Sequence, residues 1–222
     1  ILALAFVFAG VVISTTRCAV DGKQWGIIFS RNPRLGFIIV FILTILLLSS
    51  VVVAYALVGR YIATYELSNA SAAFSAGNLD VAEQAAQKSI SFAPSPVAYQ
   101  IQAGVAKVKL NKLASDTAQK SFQDSPSTGI NAALTATRLA PSDYQSWILL
   151  GNLYAQAVPL GVTSAYDSAK SAYEKAQALN PTNPQIPYTI AQLNIANKTF
   201  KQAEENLKAA IGLKQDYTAA IF

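Results

Sequence analysis

Proton transfer, nucleophilic attack and metal coordination draw on His, Cys or paired carboxylates brought together, and this chain of 222 residues holds no His and a single Cys. Without imidazole, the common triads, His metal ligands and His acid–base catalysis are excluded from the segment. Cys18 has no second thiol for a disulfide and no companion ligand for zinc. It reads as a small apolar residue or as a point of reversible lipid attachment, a modification that cysteines beside a membrane invite. The carboxylate pair Glu204-Glu205 is adjacent, so on a helix its members diverge by about 100° and face solvent rather than one substrate. Glycine-rich phosphate loops are missing. No catalytic, cofactor-binding or metal-binding residue is therefore assigned. The net charge of +5 points no more strongly to nucleic acid. Arg17, Lys23, Arg31 and Arg34 against Asp21 account for +3, and from residue 60 onward 13 basic residues face 11 acidic ones. So balanced a surface makes a poor phosphate stripe. The one local cluster, Lys107, Lys109 and Lys112, reads as a solvated helix end, with an anionic-ligand patch as the alternative.

What the chain does carry is hydrophobic patterning. Hydrophobic residues make up 52% and charged residues only 13%, too few for an ordinary soluble helical protein. The excess is localised. Positions 35–59 contain no charged residue, and 25 residues at about 1.5 Å each exceed a bilayer core of roughly 30 Å. A transmembrane helix is expected there. Residues 1–16 are also uncharged and read as the end of another span, or alternatively as a secretory signal segment that lacks its basic end. The basic loop 17–34 between them stays in the cytoplasm by the positive-inside rule, whereas residues 60–78 hold only Arg60 as a basic residue. Everything after residue 59 is expected on the outer side of the membrane. Trp25 and Tyr61 stand near the two water interfaces, where amphipathic rings are favoured.

Beyond the span, spacing repeats. Trp147, Leu150, Gly151 and Tyr154 precede Ala169, Tyr173, Ala176 and Pro181, and the first and last lie 34 residues apart. A large residue starting one helix, a glycine where its partner crosses, small residues on the return and a closing proline resemble the tetratricopeptide repeat. The register extends. Pro141 lies six residues before Trp147; six beyond Pro181 is Pro187, which opens Ile190, Ala191, Asn194, Ala203, Leu207 and Ala210. Pro94 closes an earlier unit through Ala82 and Ala86, with Gly77-Asn78 as its turn. The fold expected is all-α: transmembrane helices followed by an α-solenoid of antiparallel helix pairs. The domains are a membrane segment, 1–59, and a repeat array, 60–222. Its units are about 62–94, 95–141 with an insertion near 112–127, 142–181 with an insertion near 158–163, and 182–216, with another starting at 217. Without proline between 35 and 76, span and first repeat helix should form one continuous helix. Both ends of the chain read as cut, since Ile221-Phe222 is the opposite of a polar cap.

The resemblance also implies a binding surface. In such arrays the residues one and five past the helix-starting position, with the pair eight and nine past it, face the concavity. That selects Ile148, Asn152, Ala155 and Gln156 in one unit and Tyr188, Gln192, Ile195 and Ala196 in the next. Asn152 stands where some members hold a peptide carboxylate; Tyr188 and Gln192 supply no cation to complete such a clamp. On the concave side, Asn152→Ala is expected to leave stability almost unchanged. The partner implied is a protein or peptide, or a glycan stacked on Tyr188, besides the lipid bilayer, with no nucleic acid and no metal.

The order of spans, basic loop, final span and external repeats resembles the C-terminal part of bacterial O-antigen ligase or polymerase-like membrane proteins. The segments carrying it are 144–154 (YQSWILLGNLY), 176–184 (AQALNPTNP) and 213–217 (LKQDY). This likeness implies a multi-pass protein of the bacterial inner or cytoplasmic membrane whose catalytic part precedes residue 1. Two functions then stand side by side: a membrane-anchored repeat scaffold, and the tail of a cell-surface glycan enzyme.

Overall fold

The computed structural model describes residues 33–113, 125–160, 162 and 164–221. The segment 1–16, Cys18, most of the basic loop and residues 114–124 of the first insertion lie outside these. Every regular element described is helical. In chain order they are α1 (Pro33–Ser75), α2 (Leu79–Phe92), α3 (Pro96–Leu113), α4 (Ser125–Leu139) and α5 (Tyr144–Ala157), followed by a 3₁₀ turn (Val158–Leu160). Then come α6 (Ala165–Leu179), α7 (Gln185–Ala196), α8 (Phe200–Leu213) and the short α9 (Thr218–Ile221). Two compact units divide between Val53 and Ala54.

In the first unit, the described residues belong to α1, which from Phe37 on is uncharged and exposes mainly apolar side chains. Phe41, Leu47 and Val52 are typical in being more than half exposed. A helix hydrophobic all round has nothing to gain from water, and α1 is the one described helix long and apolar enough to cross a membrane. Thr44, Ser49 and Ser50 turn their hydroxyls back to the carbonyls of Val40, Leu46 and Leu47 at 2.8–2.9 Å, which satisfies them without water. α1 runs unbroken through 58–66, as expected from the lack of proline.

The second unit is a succession of antiparallel hairpins. The end of α1 pairs with α2, α3 with α4, α5 with α6 and α7 with α8. Alanine dominates the seams: Ala70, Ala73, Ala82, Ala85 and Ala86 with Ile101 and Val105; then Ala103, Ala132, Ala133 and Ala172 with Leu150 and Leu153; then Ala169 and Ala176 with Tyr173, Ile186, Ile190 and Leu193. Small side chains allow close helix approach, and each cluster draws on helices of successive hairpins, so neighbouring units complete each other's cores.

Turns between hairpins are fixed by local chemistry. Asp143 caps α5, its carboxylate accepting from the amides of Gln145 and Ser146 at 3.1 and 3.3 Å. Trp147 Nε1 donates to the Pro141 carbonyl at 2.9 Å, which ties the helix-starting Trp to the proline six residues earlier. Within hairpins, α1 ends with Gly77 at φ +78, where Gly77 N–H reaches the Phe74 carbonyl and Asn78 N–H the Ala73 carbonyl. That double bond is a Schellman cap, whose left-handed position suits glycine. α7 ends in the same way with Lys198 at φ 60 in the glycine's place.

Candidate binding groove

The residues expected to line a groove stand on α5 and α7, the first helices of consecutive hairpins, and α6 packs against both. Gly151 permits the packing: a Cβ there would stand 2.6 Å from Cδ1 and 2.9 Å from Cζ of Tyr173. Tyr173 is thereby buried almost completely against α5, and its hydroxyl donates to Asn152 Oδ1 at 2.9 Å. Burial pushes the Tyr173 phenol above the usual tyrosine range. Asn152 is thus a structural acceptor as well as a surface residue, contrary to the expectation that it is dispensable for stability. Its Nδ2 is left for other partners. From the same helix as Tyr173, Tyr166 OH donates to Asn194 Oδ1 of α7 at 2.8 Å, a second tyrosine-to-asparagine bond that ties this hairpin to the next.

Between α3, α5, α6 and α7 lies an open cavity of about 230 Å³, lined by Lys107, Asn152, Ala155, Gln156, Tyr173, Thr189, Gln192, Leu193 and Ala196. Of the residues selected from sequence, Asn152, Ala155, Gln156, Gln192 and Ala196 meet here. Ile148 is half-buried and packs against the hydrophobic cluster around Tyr173 and Ile186 instead. Ile195 is half exposed and outside the lining. Tyr188 stands beside the cavity rather than in it: its hydroxyl accepts from Gln192 Nε2 at 2.9 Å, and its ring meets Tyr217 edge-on with centroids 5.6 Å apart. Tyr217 OH in turn donates to Gln185 Oε1 at 2.9 Å.

Lys107 is the residue that sequence reading placed elsewhere. On a helix, positions 107 and 109 point about 200° apart, so the lysine run cannot act as one patch. Lys109 bridges Asp80 and Glu83 at 2.7 Å each. Lys107 instead turns into the cavity, half-buried, and forms no ion pair among the described residues. Desolvation holds its ammonium below the usual lysine range. Gln156 donates through Nε2 to Asn111 Oδ1 at 2.7 Å, while its Oε1 is buried with no partner. Among the described residues no group of three or more His, Cys, Asp or Glu could hold a metal.

Residues 164–221 match the family model described as tetratricopeptide repeat. Among solved structures, the chain superimposes on a thermophilic TPR protein of Thermus thermophilus, TTC0263, with a TM-score of 0.56 at 15% identity over 71% of this chain and 77% of that one. The fold is a tetratricopeptide repeat array. MamA overlays it with a TM-score of 0.54 at 17% identity, covering 70% of this chain and 80% of the other. The APC/C hetero-tetramer Cut9–Hcn1 gives 0.56 at 18% identity over 78% of this chain and 32% of that one. No match was found among curated proteins. In repeat terms, the cavity is lined by the first helices of successive hairpins, α3, α5 and α7, with Tyr173 of α6. The 3₁₀ turn Val158–Leu160 follows α5 within its hairpin, at the start of the stretch expected as an insertion.

Proposed function

We propose that this protein is a membrane-anchored tetratricopeptide repeat scaffold whose inner surface, centred on α5 and α7, captures an extended segment of a partner protein. The observation that carries this reading is the meeting of Asn152, Gln156 and Gln192 around one open cavity, each with a polar valence left over after its intramolecular bond. A repeat stack buries its apolar faces between units and leaves a long concave surface for recognition. Tyr188 and Tyr217, edge-on at its rim, supply rigid aromatic area of the kind that dominates recognition energetics. α1 is the membrane anchor. The cation-rich segment before it and the cation-poor one after it favour a location of the repeats outside the cytoplasm, in a multi-pass protein of a bacterial inner membrane. The resemblance to ligase tails leaves this role unchanged, because it assigns no catalytic residue to these positions.

The experiment is selection of capped peptides on the full chain in nonionic detergent, followed by titration against Gln192→Ala and Tyr188→Ala. Selected peptides should lose about tenfold or more in affinity on each variant, as expected for central contacts. Peptides that bind both variants as tightly as the original chain would refute the groove. For topology, a reporter active only in the cytoplasm, fused after Phe222, should be silent, and activity would reverse the orientation.

A further inference from the structure

The repeat unit has a second surface of distinct chemistry, at the edge formed by its first two inter-hairpin turns. Within this unit α1 begins with the last of its uncharged residues, 54–59, and reaches Arg60 and Tyr61, both exposed. α2 returns antiparallel to α1, and two contacts fix the level at which it arrives. Ser89 Oγ donates to the Ala63 carbonyl at 2.8 Å, and Lys88 Nζ stands 3.6 Å from Glu66 Oε1. Phe92 is three residues beyond Ser89, roughly 4.5 Å further along the helix. That brings it level with Arg60 and Tyr61, where the uncharged run of α1 ends. Its side chain is 49% exposed, as is 47% of Val97 in the first turn of α3. The next inter-hairpin turn stands at the same edge, because Gln100 Nε2 of α3 donates to the Asp143 carboxylate and, at 2.8 Å, to Ser146 Oγ. Leu139, two residues before Pro141, is 48% exposed there. Cations accompany these apolar side chains. Arg60 and Arg138 are exposed and form no ion pair among the described residues, and Arg138 reaches only Thr135 and the Leu134 carbonyl of its own helix. The nearby acids are engaged: Glu66 faces Lys88, and Asp143 holds the α5 cap and Gln100.

Large apolar side chains left half exposed beside unpaired guanidinium groups match a lipid interface, which takes the apolar bodies at the headgroup boundary and the cations at its phosphates. Resting on the reading of α1 as the membrane anchor, we infer that the turn edge of the first two hairpins is seated on the bilayer surface. Phe92, Val97 and Leu139 enter the boundary between headgroups and acyl chains, Tyr61 lies at the same depth, and Arg60 and Arg138 pair with phosphates of anionic lipid. The opposite edge stands away from lipid, since Ala76 lies 16 residues beyond Arg60, roughly 24 Å along α1. The array is then held at the membrane by its own surface as well as by one helix.

The test places one fluorescent NBD label at a time on the full chain, in a Cys18→Ser background, reconstituted in nanodiscs of zwitterionic phospholipid with or without anionic phospholipid. Labels go on Ser91→Cys and Ser142→Cys, exposed positions beside the edge, on Ala76→Cys at the opposite edge, and on Val52→Cys in the apolar run of α1. Phospholipid with a nitroxide on its headgroup should quench the labels at 91 and 142 and spare the one at 76, while an acyl-chain nitroxide should quench the one at 52. Phe92→Ser combined with Leu139→Ser should bring quenching at 91 and 142 down toward that at 76. Each Arg near an anionic surface adds roughly fivefold to binding, so Arg60→Gln with Arg138→Gln should lower the quenching in anionic discs and leave zwitterionic discs unchanged. Labels at 91 and 142 as insensitive as the one at 76, with 52 quenched, overturn the seated edge and leave the anchor standing. So does quenching that neither double variant changes, since α1 alone then holds the turns near lipid. If the label at 52 escapes the acyl-chain nitroxide, the anchor reading fails and the seated edge with it.

Discussion

Gly151→Ala tests the packing on which the groove depends, because two effects of opposite sign meet at one methyl group. In a helix interior, alanine is favoured over glycine by about 1 kcal/mol. At Gly151 the new Cβ would stand 2.6 and 2.9 Å from ring carbons of a tyrosine with almost no exposed surface. The ring cannot yield as a flexible chain end would, so α5 and α6 must separate or Tyr173 must swing out. Overpacking of this kind costs about 1–3 kcal/mol. Displacing the ring also strains the Tyr173–Asn152 hydrogen bond, worth about 1 kcal/mol. The net expectation is a loss of about 1–3 kcal/mol. Gly212→Ala is the control, since nothing lies within 4 Å of a Cβ there and only the propensity gain of up to about 1 kcal/mol remains. Urea unfolding of the full chain in nonionic detergent, followed by circular dichroism, should move the two midpoints in opposite directions. A neutral or stabilising Gly151→Ala would refute the close approach of the two helices and with it the placement of Asn152.

Other substitutions probe single interactions by the same assay. Asn152→Ala strands the Tyr173 hydroxyl in a buried position and should cost about 1–3 kcal/mol, whereas Asn152→Asp keeps an acceptor and should cost less. Lys198→Gly relieves a side chain held in the left-handed region and should stabilise by up to about 1 kcal/mol, measurable as a higher midpoint. Lys107→Met should raise the midpoint at pH 7. Burial lowers the folded-state pKa of Lys107, so the penalty is full below that value and relieved as pH rises toward the unfolded value of about 10.4. The advantage of Met should therefore shrink with alkalinity. Lys109→Met removes a largely surface bridge from α3 to Asp80 and Glu83 and should cost no more than about 1 kcal/mol.

The repeat register was legible because its signals are steric and local. Trp147 and Pro141 touch through a hydrogen bond, Gly151 leaves room for Tyr173, and prolines stand in the turns after the second helices. The apolar α1 was legible from length and charge alone. The site was legible only in part. The repeat resemblance grouped Asn152, Gln156 and Gln192, which line one cavity, but it did not show which of them a neighbouring helix would engage. Ile148 packs into the seam because Tyr173 and Ile186 fill the adjoining core, and Asn152 is half spent on a tyrosine 21 residues away. Lys107 escaped because three lysines close in sequence read as one solvated helix end, although helical geometry sets the first two nearly opposite. Its burial depends on the packing of α3 beside α5, which no window of sequence contains.

Hydrogen exchange on the full chain, with and without the best-retained capped peptide, tests the groove most directly. Slower exchange concentrated in 148–156 and 188–196, lost in Gln192→Ala, is the outcome predicted for a segment seated on α5 and α7. Protection confined to α2 or α8, or none in the presence of a bound peptide, would contradict it.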